Sequence, residues 1–380
     1  MTESIDINLY NKYKEVAQTI NSAGGSSFPV TDTLISILKL ITSEEDLDFI
    51  LAFKKQKSQT LEQLKLSSNL TEEEILGKTE KLAKKGLLFN QPNRQGVMVF
   101  RLMPFINVGV FEYTFMKKLQ KSKEEKELAD LYEKLFRESR RTWMSKYDIV
   151  KDYVQKMSPI DRTIPFTENK ESGEEIEIII NEELDVPEQK ILPTQKVEEL
   201  VEKFTDIAVG HCFCRHHKDL LGKPCEQTDL RENCFTFGKS ARYTSEQGFS
   251  RLVSKEEALK ILKQSEQDGL VHKAYHPNFD IKRDETSICN CCSCCCGQAG
   301  GPTANATNYL AQVNQDLCIG CGTCVEKCHT SSMLLNEDGK AENIVENCIG
   351  CGVCAYFCPE NAISLVEDER IVRIMPPRPT

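Results

Sequence analysis

Cys318-Ile-Gly-Cys321-Gly-Thr-Cys324-Val-Glu-Lys-Cys328 recurs thirty residues later as Cys348-Ile-Gly-Cys351-Gly-Val-Cys354-Ala-Tyr-Phe-Cys358. Each copy reads C-x2-C-x2-C-x3-C, and the second is followed by Pro359. Two-residue gaps between cysteines are metal-ligand spacing. They are not the spread of a disulfide framework, which staples small secreted domains along their length. All 18 cysteines of the 380-residue chain lie beyond Gly210.

Three cysteines at two-residue gaps let one tight loop wrap three corners of an iron–sulfur cubane. A fourth after a three-residue gap begins a helix and points to a different cluster. The competing reading is zinc in two sites, each held by four cysteines. It fits less well, because zinc usually takes two separated C-x2-C pairs. The segment from about Gln312 to Val366 resembles the bacterial-type ferredoxins with two 4Fe–4S clusters. The resemblance implies that Cys318, Cys321, Cys324 and Cys358 hold one cluster. It likewise implies Cys348, Cys351, Cys354 and Cys328 for the other. Gly320, Gly322, Gly350 and Gly352 are expected to let backbone amides approach the cluster sulfurs. His329 stands where that family often has proline, and a solvent-exposed position is expected for it.

Ten cysteines remain upstream. Cys212, Cys214, Cys225 and Cys234 form a first set, read as ligands of a possible third centre. Cys289, Cys291, Cys292, Cys294, Cys295 and Cys296 form a second, dense run. Adjacent cysteines are expected to diverge, so the run is read as sharing ligands among centres or leaving free thiols. A third iron–sulfur cluster, a zinc site drawing on both sets, and a redox dithiol all remain open, since iron and zinc both favour thiolate. Arg215, His216, His217 and Lys218 are expected to place positive charge beside this centre. The Cys-x-Cys-Arg segment, the capped helix and the Asn-Cys-Cys-x-Cys-Cys-Cys run together resemble ferredoxin-like proteins of anaerobes, a likeness that assigns no reaction. His272 and His276 are expected in turn or packing roles.

The fold class expected is multidomain α+β. Residues 1–105 read as a winged-helix-like domain: helices over Thr31–Ile41, Glu44–Lys54 and Thr60–Leu66, then a helix opened by the capping box Thr71-Glu72-Glu73-Glu74 and closed at Gly86. Strands at Leu87–Phe89 and Val97–Leu102 follow. Residues 106–175 are a charged helical region ending in a polar linker at Thr167–Glu175. Residues 176–300 form a Cys-rich α+β metal-binding domain with a helix over Gln195–Asp206 and a second capped helix from Ser254 to Gly269. Residues 312–380 form the two-cluster domain.

Lysine and arginine total 48 against 58 acidic residues, a net charge of −10. Such a chain is repelled by phosphate backbones and anionic lipid, so nucleic acid is not an expected partner. Residues 1–105 balance 13 basic against 13 acidic residues, and the candidate recognition helix opens on three glutamates, the wrong charge for phosphate. No signal peptide or bilayer-length apolar run is visible, so a cytoplasmic, reduced protein is expected. The function expected is iron–sulfur electron transfer, as a protein serving a redox partner or as a subunit of a larger oxidoreductase. The alternative is an iron–sulfur redox sensor regulating transcription through the winged helix. A weaker third reading is a reductase whose active site is the Cys-rich region.

Overall fold

The computed structural model describes residues 7–24, 28–93, 95–179, 196–276, 284–297 and 301–378. Ile180, Gln195, Pro277 and Gly300, which border expected elements, lie outside them. The chain forms two compact units. The first comprises residues 1–145, 216–223 and 242–251; the second comprises 146–215, 224–241 and 252–380.

In the first unit the expected helices form at Asp32–Ile41, Glu44–Leu51, Leu61–Ser68 and Glu72–Ala83. A further helix, Ile7–Asn21, precedes them. Thr71 accepts from the Glu74 amide, and the Glu74 carboxylate accepts from the Thr71 amide at 2.8 Å, completing the capping box. The helix buries Ile75, Thr79, Leu82 and Ala83. Gly86 stops it at φ +75°, where a Cβ would stand 2.7 Å from the Tyr113 Cβ. Thr71→Ala should lower stability by about 1 kcal/mol, read from the urea midpoint at unchanged m-value. Strands Leu88–Pro92 and Met98–Leu102 pair antiparallel, and Ser58–Thr60 adds to the far side of the second. The charged region becomes three helices, Val110–Met116 and Lys123–Ser145 in this unit and Tyr147–Lys156 in the second. The middle one is amphipathic, burying Leu128, Ala129, Tyr132 and Leu135, and its Glu138 accepts from the Thr31 and Thr33 hydroxyls at 2.8 and 2.7 Å.

The second unit is built on one mixed sheet. Its strands run in the order Ile178–Ile179, Ile363–Ile374, Thr303–Val313, Asp161–Ile164, Val271–Tyr275, Ser287–Cys291, Glu232–Phe237, Ile207–His211. Thr303–Val313 and Ile363–Ile374 form a long antiparallel ribbon, and both cysteine repeats lie between these two strands. Thr303–Val313 also pairs, in parallel, with Asp161–Ile164. The boundary expected between the Cys-rich and two-cluster regions therefore falls at the start of a strand shared by one sheet.

Arg162 Nη2 meets Glu285 Oε1 at 3.0 Å with both side chains almost fully buried, and Lys203 Nζ reaches the same carboxylate at 3.3 Å. Burial pushes the Glu285 carboxyl up. A backbone hydrogen bond, Arg162 and Lys203 outweigh it and hold the group below the ordinary range. A carboxyl depressed in the fold stabilises above its unfolded pKa, about 4.3, and that contribution is lost as pH falls through the lower folded value. Glu285→Ala removes the carboxylate partner of a buried guanidinium, an expected cost of about 3–5 kcal/mol at neutral pH, measurable by chemical denaturation.

Candidate metal centres

The first repeat folds as a loop into the short helix Thr323–Lys327, with Gly322 at φ +77°, and the second as a loop into Val353–Tyr356, with Gly352 at φ +72°. One cavity is lined by Cys318, Cys321 and Cys324 of the first repeat and by Cys358 of the second. Reciprocally, the charges that act on Cys351 and Cys354 include those of Cys348 and Cys328. Burial, then neighbouring thiols, push Cys324 up to about 11; burial alone leads for Cys351, at about 12. Amides aim at the sulfurs: Ser332 N to Cys328 Sγ at 3.1 Å, Ala341 N to Cys318 and Ala362 N to Cys358, both at 3.3 Å. Such donors stabilise added negative charge on a cluster.

The polar stretch Thr167–Glu175 is a loop, as expected, but it braces the second repeat. The Phe166 amide donates to the Cys351 carbonyl at 3.0 Å. Buried Asn169 donates to the Ala355 and Cys358 carbonyls at 3.1 and 2.9 Å. Neither residue carries a sequence signal that separates it from ordinary loop polarity.

The ten upstream cysteines group differently from their order in the chain. Cys225 leaves its expected partners Cys212, Cys214 and Cys234 and joins Cys292, Cys294 and Cys295, with all four Sγ atoms within 4.8 Å of one another. The expected divergence of adjacent cysteines is corrected here: a turn after the strand Ser287–Cys291 brings Cys294 and Cys295 Sγ to 3.6 Å. The other six form a second group. Ile288 pairs with Phe235 across the sheet, so Cys289 falls opposite Cys234, with sulfurs 3.8 Å apart. Cys291, two residues on, shares that face. Hydrogen bonds link Cys291 to Cys289 and Cys296, and Cys212 to Cys214. The Gly297 amide donates to Cys214 Sγ at 3.2 Å. The Cys214 hydrogen bond holds Cys212 down at about 6.

Of the four basic residues expected beside the thiols, only Arg215 takes that place. It is fully buried, bonded to Asn233 Oδ1 and the Asn290 carbonyl, both at 2.9 Å, and beside Cys212, Cys292 and Cys225. His216 contacts the Phe115 carbonyl and His217 the Ala129 carbonyl, at 3.2 and 3.0 Å. Burial takes His217 down to about 4, so it is neutral at pH 7. Lys218 pairs with Glu133 at 3.2 Å. A second cation comes from Lys273, buried, ion-paired with Asp161 at 3.3 Å and close to Cys291 and Cys296. His272 has the packing role expected, its Nδ1 2.5 Å from Asn290 Oδ1. His329 is not the exposed residue expected. Its Nε2 is buried, and burial with nearby Lys273 and Arg215 pushes the imidazole down to about 3.

Residues 311–365 match the 4Fe-4S dicluster domain family. A probable ferredoxin of Methanosarcina thermophila is 53% identical over 32 residues, 8% of this chain and 55% of that protein, so the chain spans about half the length of this relative. No solved structure matches the chain. The C-terminal segment thus has the sequence of an iron–sulfur, ferredoxin-like module within a mixed α/β protein. No helix among the described residues is long and apolar enough to cross a membrane.

Proposed function

We propose that this protein carries electrons for a redox partner or as a subunit of a larger oxidoreductase. Cys318, Cys321, Cys324 and Cys358 would hold one 4Fe–4S cluster, and Cys328, Cys348, Cys351 and Cys354 the other. When bound, such clusters supply one-electron chemistry, with potentials set by burial and hydrogen bonds to sulfur. Cys212, Cys214, Cys234, Cys289, Cys291 and Cys296 would build a further iron–sulfur centre on the sheet.

The observation that carries this reading is His329. It directly follows Cys328, yet its imidazole lies beside Lys273 and Arg215, the two buried cations that also adjoin the upstream thiols. The cluster site that Cys328 would complete and the sheet thiols thus face the same two cations, an arrangement that suits a short electron route. The cations offset thiolate charge, which favours a reduced, more negative centre.

The helices and three-stranded sheet of residues 1–105 suit a winged-helix module, which we assign to protein docking. The exposed glutamates at the start of Glu72–Ala83 disfavour phosphate.

The test is anaerobic purification of the full chain with assay of iron, acid-labile sulfide and the EPR spectrum after dithionite. Iron clearly above about eight per chain, the load of two cubanes, is expected. The double variant Cys212→Ser/Cys214→Ser should lose the excess and keep the ferredoxin-like signal. A wild type with no iron beyond that load would refute the additional centre.

A further inference from the structure

We propose that Cys225, Cys292, Cys294 and Cys295 hold a single tetrahedral zinc ion, separate from every iron–sulfur centre in the chain.

The argument is one of size. Zinc–thiolate bonds of about 2.3 Å in a tetrahedron place the sulfurs about 3.8 Å apart. A cubane binds each thiolate at a different iron corner and spreads the four to roughly 6 Å. Here Cys225 Sγ lies 3.5 Å from Cys294 Sγ, Cys294 Sγ lies 3.6 Å from Cys295 Sγ, and no pair among the four exceeds 4.8 Å. Among the described residues, the eight C-terminal cysteines form no group this tight. There is room for one ion and no inorganic sulfide.

The surroundings are those of a built site. The Gln227 and Thr228 amides and the Arg215 guanidinium donate to Cys225 Sγ, three hydrogen bonds from outside the ligand set. Donors of this kind orient a thiolate and offset the charge of a tetrathiolate site. Leu270 closes the apolar side against Cys292 and Cys295. Gln227 binds the Asp268 and Gly269 carbonyls at 3.0 and 2.9 Å, holding the Cys225 loop in place. Cys294 is exposed, giving the ion a path of entry.

All four ligands are cysteine, the donor set of closed structural zinc. The ion would pin residue 225 to a turn 69 residues away in sequence. That turn lies between Cys291 and Cys296, so the zinc would position two thiols of the neighbouring six-cysteine group.

The full chain, purified anaerobically from zinc-supplemented medium, is assayed for zinc, iron and sulfide. About one zinc per chain is expected. Cys294→Ala should lower it at least about tenfold while iron and sulfide stay at wild-type values. The paired variant Cys212→Ser/Cys214→Ser should show the converse, losing iron and keeping zinc, so failure of this site and failure of the additional iron–sulfur centre are distinguishable. Should Cys294→Ala not fold, zinc K-edge absorption on the wild type decides: four sulfurs at about 2.3 Å support the site. Nitrogen or oxygen ligands, one iron in place of zinc, or a wild type without zinc would each overturn it. Loss of about four iron and four sulfide from Cys294→Ala would show a cubane instead.

Discussion

Cys358→Ala is expected to remove the cluster of the first repeat and leave that of the second, although Cys358 belongs to the second. Its side chain lines the cavity of Cys318, Cys321 and Cys324, and its sulfur accepts from the Ala362 amide at 3.3 Å on that side. Iron and sulfide should each fall by about four per chain. The magnetic coupling between two reduced clusters should vanish from the EPR spectrum. Double variants identify the cluster lost, because two ligands of one centre act as a unit and ligands of two centres act independently. Adding Cys321→Ala to Cys358→Ala should change little further. Adding Cys351→Ala should strip the remaining cluster. The reverse pattern would mean that each repeat closes its own site and would refute the crossed ligation.

Gly350→Ala should abolish the other cluster and cost several kcal/mol. The backbone is left-handed there, at φ +60°, and a Cβ would stand 2.1 Å from the Tyr309 carbonyl oxygen and 2.5 Å from Thr307 Oγ1. Those atoms belong to the bulge of Thr303–Val313, held in its ribbon on one edge, so they cannot yield cheaply. The conformational cost is about 1–3 kcal/mol and the overpacking about 1–3 kcal/mol more. Gly248→Ala is the control. It is also left-handed, at φ +76°, a Cβ there meets nothing within 4 Å, and it does not line the cavity of the first repeat's cysteines. It should lose only about 1–2 kcal/mol and keep both clusters. Thermal unfolding and iron content of the two variants test this, and equal, small effects would rule out steric closure at Gly350.

The ribbon also revises how a two-cluster fragment should be cut. A fragment beginning at residue 312 would lose nearly all of Thr303–Val313, and with it the partner strand of Ile363–Ile374. This strand has no strong sequence signature. Its first half, Thr-Ala-Asn-Ala-Thr-Asn, is small and polar, and its burial comes from neighbours far along the chain. His329 was illegible for the same reason. Nothing in Cys328-His329-Thr330 shows that Lys273 and Arg215 will flank the ring.

What the sequence determined by itself was local. A cluster loop is a run of eleven residues whose cysteine gaps are the binding geometry, so the eight C-terminal cysteines announce their chemistry without any partner. The capped helices at Thr71 and Ser254 are local too, since a cap lies within four residues of the amide it satisfies. The ten upstream cysteines are the opposite case. Their grouping depends on which strands pair and at what register. Cross-strand pairing sets Cys234 against Cys289, and a single turn delivers Cys294 and Cys295 to Cys225 instead. Spacing could say that these side chains suit a metal. Only the packed sheet could say with which neighbours, because their sulfurs meet across 55 and 69 residues of intervening chain.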